Sequence, residues 1–164
     1  MSEYTFLQES KRDDKTDVGF SIYSTDYDDN YVYSVHFASL IQEQNIKSHT
    51  IIEIHDEVFE KLIEWAEDKP NVIPIKGDWL DSIPNKKYDG IMYDTWKDNR
   101  TSQFKKLISQ HIKTGTIFTF YNSYQKEING FNYKATYTIL DVEPDLQNKK
   151  YFTDKKYYLP KVIF

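Results

Sequence analysis

Apolar positions change period along this chain, and the changes mark out alternating strands and helices. Residues 50–54 (Thr-Ile-Ile-Glu-Ile) are a short apolar run that predicts a strand. From Asp56 to Glu67 the period becomes helical: Val58, Leu62 and Trp65, with Phe59, Ile63 and Ala66, fall on one face. Asp56 is placed to cap this helix, and Lys69-Pro70-Asn71 stops it. Residues 72–75 (Val-Ile-Pro-Ile) predict a second strand, at or near a sheet edge because Pro74 has no N–H for a ladder. Gly77 opens a loop through Trp79 and Ile83. Residues 88–93 predict a strand ending at Asp94, and residues 101–112 a helix with Phe104, Leu107, Ile108 and Ile112 turned inward. Gly115 follows, then β-rich runs at 116–121, 134–142 and 157–163. Nearer the start, 18–23 and 31–35 read as strands around an acidic loop at 24–30, with a helix near 37–44 and a polar stretch at 1–17.

Strand–helix alternation closed by terminal strands predicts an α/β fold with a mostly parallel sheet and helices on both faces. The 164 residues suit one domain over 1–164, with 1–48 its atypical part. Ligands of such sheets sit beyond the carboxyl ends of the strands. Glu53 and Asp94 both fall there, which makes them the leading candidates for chemistry.

Composition narrows the possibilities further. There is no cysteine, so disulfides, thiolate metal sites and thiol catalysis are excluded, and a cytoplasmic location is expected. His36, His49 and His111 lack metal-ligand spacing, so no metal is expected. The cluster Asp26, Asp28, Asp29 lacks the glutamate of a calcium loop. The net charge is −5 with acids and bases interleaved, which argues against nucleic acid as partner. No apolar run approaches a membrane span, and Met-Ser-Glu-Tyr does not begin a signal peptide. The 14 Tyr, 10 Phe and 3 Trp are expected mainly in the core, and the aromatic-rich N-terminal half offers a surface for a homo-oligomer.

Three stretches carry a resemblance: His49-Thr-Ile-Ile-Glu-Ile-His-Asp-Glu-Val-Phe-Glu-Lys-Leu62, Val72-Ile-Pro-Ile-Lys-Gly-Asp-Trp79, and Tyr88-Asp-Gly-Ile-Met-Tyr-Asp-Thr95. In order and spacing they resemble the guanidinoacetate N-methyltransferase family and the related fungal arginine N-methyltransferases. Lys156-Tyr-Tyr-Leu-Pro160 is similar to that family's last strand. The resemblance implies a Rossmann-like class I methyltransferase sheet with an antiparallel C-terminal strand. It implies S-adenosylmethionine as cofactor and a small nitrogen-containing substrate, guanidino or amino. It implies that Glu53 accepts bonds from both ribose hydroxyls, that Ile54 and His55 flank the nucleoside, and that Asp78 and Trp79 lie beside the adenine. Asp94 would face both the methyl donor and the substrate as the catalytic acid, with Asn122, Ser123 and Tyr124 near the substrate.

The chemistry suits these residue types. A carboxylate offers two acceptor oxygens to two vicinal donors. Methyl transfer depends chiefly on alignment, and a carboxylate beside an acceptor nitrogen can orient it and take its proton. The chain departs from the family in two places. The position of the cofactor loop holds Tyr31-Val32-Tyr33 without a glycine, while Gly19-Phe20-Ser21 lies about ten residues too far upstream. The family's N-terminal Trp-Glu-Thr-Pro segment has no counterpart. Two alternatives therefore stay open beside methyl transfer: a non-catalytic binding or assembly module, and an enzyme that cleaves S-adenosylmethionine itself.

Overall fold

A computed structural model of the chain describes residues 17–24, 38–39, 41–44, 46–95, 100–120, 133–141 and 155–164; for 17–24 and 94–95 it describes the backbone alone. Seven strands form the sheet: β1 (Asp17–Ser24), β2 (Ser48–Glu53), β3 (Val72–Lys76), β4 (Gly90–Thr95), β5 (Ile117–Phe120), β6 (Thr136–Asp141) and β7 (Lys156–Ile163). Their order is β3-β2-β1-β4-β5-β7-β6. β1 pairs in parallel with β2 and β4, β2 with β3, and β4 with β5, while β7 runs antiparallel to both β5 and β6. The sheet thus reverses its build-out at β1, which opens a crevice at the carboxyl ends of β2, β1 and β4.

β2 is buried at all six positions, as a strand covered on both faces must be. Its neighbours Ile51 and Ile52 serve opposite cores. Ile51 packs with Ala38, Leu62 and Val72, beneath α1 (Asp56–Ala66) and helical residues at 38–39 and 41–42. Ile52 packs with Trp79, Tyr88, Ile91, Tyr93, Phe104, Ile108, Phe118, Phe120 and Val162. That second core lies beneath α2 (Trp79–Ser82) and α3 (Thr101–Ile108). Helices therefore cover both faces, and period-two alternation along β2 distributes the side chains between them. β3 occupies an edge, as Pro74 requires. Among the described residues no helix is long and apolar enough to cross a membrane.

Three local expectations change. The N-cap of α1 is His55, which makes no side-chain cap bond; Asp56 is instead the first helical residue and pairs with Lys76 at 2.9 Å. That acid still suits the positive end of the helix. α3 stops at Ile108 instead of running to residue 112. Ser109 Oγ donates to the Lys106 carbonyl at 2.8 Å, a local bond that competes with helix continuation, while Ile112 still packs against the core. The stretch after Gly77 is a short helix, capped by Asp78, where a loop was expected. The strand expected at 31–35 and the acidic loop at 25–30 lie outside the described residues.

Phe104 is fully buried, its ring centroid 4.1 Å from Tyr93, 5.5 Å from Trp79 and 5.8 Å from Phe118. Phe104→Ala is expected to cost about 3–5 kcal/mol, read as a lowered urea midpoint with the slope unchanged.

Candidate cofactor and active site

Strand register brings the two candidate acids to the same level. Tyr23 of β1 is the register partner of Glu53 on one side and of Asp94 on the other. Glu53 ends β2 and Asp94 is the last residue but one of β4, on strands that flank β1, two strand spacings or about 10 Å apart across the sheet. For Asp94 the description stops at this backbone position. Asn122, Ser123 and Tyr124 lie outside the described residues.

Glu53 is the most unusual group in the site. It is 1% exposed although it ends a strand. Its Oε1 accepts the His55 backbone N–H at 2.7 Å. Its Oε2 is buried and has no hydrogen-bond partner among the described residues. Burial pushes its pKa up to about 7, against the opposing pull of the His55 and Ile54 amides and of Lys76. Lys76, its register partner on β3, is turned to the outside of the strand tip, where its Nζ bonds the Ile54 carbonyl and the Asp56 carboxylate. The cation therefore leaves the second oxygen of Glu53 unclaimed.

Around this acid the chain offers mixed surfaces. Ile54 is 45% exposed, an apolar side chain at the rim of the crevice, and His55 beside it is also exposed. Gly77 closes the far side: its N–H donates to the Glu53 carbonyl at 3.0 Å. Its φ of +153° and the Ser82 hydroxyl, 2.2 Å from where a Cβ would sit, reserve the position for glycine.

Two residues expected beside the adenine have partners of their own in the fold. Trp79 is 3% exposed and stands edge-on to Tyr93 and Phe104, 5.8 and 5.5 Å away, so the indole is a core residue and not an open wall for adenine. Asp78 has both oxygens engaged: Oδ1 accepts the Leu80 N–H at 3.0 Å, and Oδ2 accepts from Arg100 at 2.7 Å. It caps α2 and pairs with Arg100. Arg100 was not singled out in the sequence; its partner is 22 positions away and no spacing rule connects them. His49 is fully buried, bonds Gln42 through Nδ1, and is held neutral by burial, which lowers its pKa to about 3. Among the described residues no three His, Asp or Glu side chains form a metal-binding group.

With this geometry in view, comparison with known proteins decides the family. The sequence profile of guanidinoacetate N-methyltransferase matches residues 32–136, well over half of the chain. The chain belongs to the guanidinoacetate N-methyltransferase family. The guanidinoacetate N-methyltransferase family uses S-adenosylmethionine as its methyl donor, and its members are enzymes. The chain is also similar to protein arginine N-methyltransferase 2 of Candida glabrata, 28% identical over 77% of this chain and 38% of that one. With protein arginine N-methyltransferase 2 of Yarrowia lipolytica it is 30% identical, over 76% of this chain and 33% of that one. It spans less than two fifths of the length of these relatives. Among solved structures, a precorrin-6y C5,15-methyltransferase from Geobacter metallireducens superposes with a TM-score of 0.58 at 9% identity, covering 92% of this chain and 82% of that one. A methyltransferase-like protein of Thermoplasma acidophilum gives 0.57 at 14% identity, covering 91% and 69%. These likenesses establish the class I Rossmann-like methyltransferase fold.

Glu53 fits the family's donor. A buried carboxylate with one oxygen unclaimed, at the tip of a central parallel strand, suits the vicinal hydroxyls of a ribose. Because its pKa is raised on folding, its contribution to stability is full below the ordinary value near 4.5 and is lost as pH rises through about 7. Glu53 alone therefore costs the unliganded protein on the order of 3 kcal/mol between those limits, while His49, buried and neutral, adds stability as pH rises to its ordinary value near 6.5. Denaturant titrations across that range should show stability rising with pH in Glu53→Gln, and that rise largely cancelled in the wild type.

Proposed function

We propose that this chain binds S-adenosylmethionine in the crevice between the tips of β2 and β4 and transfers its methyl group to a nitrogen of a guanidino compound. The observation that carries the reading is the buried Glu53 carboxylate with an unclaimed oxygen, level with Asp94 across β1. When bound, the donor supplies an electrophilic methyl on a sulfonium. Glu53 holds the ribose through two charge-assisted hydrogen bonds, each contributing roughly 1.5–3 kcal/mol. Ile54 offers an apolar surface to the base, and the exposed His55 stands at its edge.

Asp94 does the chemical work on the acceptor side. A guanidinium is protonated at neutral pH, so its nitrogen must lose a proton as the new N–C bond forms. A carboxylate at the tip of β4 orients that nitrogen and receives the proton. Asn122, Ser123 and Tyr124 complete the acceptor side in this reading. The relatives' names point to arginine in a protein, and the family's name to guanidinoacetate, as the source of the guanidino group.

Calorimetry with S-adenosylhomocysteine tests the donor site. The wild type is expected to bind at micromolar concentration, and Glu53→Gln to weaken binding at least tenfold, since each charge-assisted bond corresponds to roughly that factor. Asp94→Asn is expected to keep donor binding while methyl transfer to arginine-containing peptides or guanidinoacetate falls by 10²–10⁴, the usual range for general-base loss. Absence of wild-type binding would refute the donor site. Product from donor alone, without acceptor, would assign the crevice to cleavage of the donor.

A further inference from the structure

Arg100 stands where local preferences disfavour it. It is the N-cap residue of α3, makes no side-chain cap bond, and the first turn of that helix holds no acid. A cation at the positive end of a helix is unfavourable, and N-caps favour Ser, Thr, Asp and Asn. Its guanidinium is instead held by the start of α2. Nη1 donates to Asp78 Oδ2 at 2.7 Å, and the guanidinium carbon lies 4.9 Å from the Trp79 ring centroid. Both side chains of the ion pair are 30% exposed. Departures from local preference of this kind collect at functional sites.

The two ends of the pair lie on the two segments that carry the site. Asp78 follows Gly77, whose N–H is bonded to the backbone of Glu53, and its other oxygen fixes the start of α2. Arg100 lies six positions beyond Asp94 and starts α3, with its carbonyl accepting the Gln103 and Phe104 N–H groups at 2.9 and 3.0 Å. β3 and β4 are not neighbours in the sheet, since β2 and β1 lie between them. The pair therefore joins the segments leaving two strands that backbone pairing does not connect.

We propose that Asp78 and Arg100 are positioning residues that clasp the segment after β3 to the start of α3, so that the tips bearing Glu53 and Asp94 meet one bound nucleoside together. The role rests on the donor-site reading given above. A planar guanidinium suits it, because its fork holds a carboxylate while its flat face can lie over an indole. Asp78 acts through Arg100 and not by touching adenine.

A double-mutant cycle separates these roles, with S-adenosylhomocysteine affinity and thermal melting measured on the same proteins. Asp78→Asn, Arg100→Met and the double variant are each expected to weaken affinity five- to tenfold, with the double no worse than either single. Arg100→Lys should recover part of the loss. Lowered melting temperatures with unchanged affinity would show a merely structural pair and overturn the proposal. Weakened affinity in Asp78→Asn alone, with Arg100→Met unaffected, would return Asp78 to direct adenine contact and overturn it equally. A wild type that binds, and loses affinity in Glu53→Gln but not in Arg100→Met, sinks the clasp and leaves the donor site standing. A wild type that does not bind sinks the donor site and the clasp with it.

Discussion

A carboxylate taken out of water is costly unless donors meet its oxygens, and Glu53 meets one close donor where its oxygens can accept several. Everything around it keeps that imbalance in place. β2 is buried along its whole length, so the side chain at its end enters a covered site. Lys76, the cation whose charge reaches it, bonds Ile54 and Asp56 instead. The described donors are the His55 amide, 2.7 Å from Oε1, and, with a weaker pull, the Ile54 amide. A raised pKa is the direct consequence. A ligand that brings two hydroxyls relieves the imbalance, which is how an unfavourable group in the free protein becomes a binding group in the complex.

The sheet order gives this acid its company. Because β1 lies between β2 and β4, the tips of both come level with Tyr23, and the crevice opens where the direction of strand addition reverses. Ile51 and Ile52 show how firmly the frame is held: one residue apart, they anchor cores on opposite faces. A shift of β2 by one residue would exchange those faces and move Glu53 off the tip.

Much of this was legible in the sequence because it rests on local signals. The helical spacing of Val58, Leu62 and Trp65, the proline in β3, and the acids at or next to the ends of β2 and β4 each follow from residue types and their intervals. The family was legible for the same reason, in contiguous motifs between His49 and Thr95. What escaped is non-local. Trp79 reads as a loop aromatic until the fold brings Tyr93 and Phe104 against it. Asp78 reads as a ligand acid until Arg100 arrives from the start of another helix. The end of α3 was missed because a serine side chain competes with the backbone at Ser109, while the apolar pattern continues to Ile112.

The most direct test is a crystal structure of the chain with S-adenosylhomocysteine bound. The account predicts both ribose hydroxyls within hydrogen-bond distance of the Glu53 carboxylate, with Oε2 newly engaged and Asp94 lining the same cavity. A nucleoside seated elsewhere, or a Glu53 still bonded to the His55 amide alone, would contradict it.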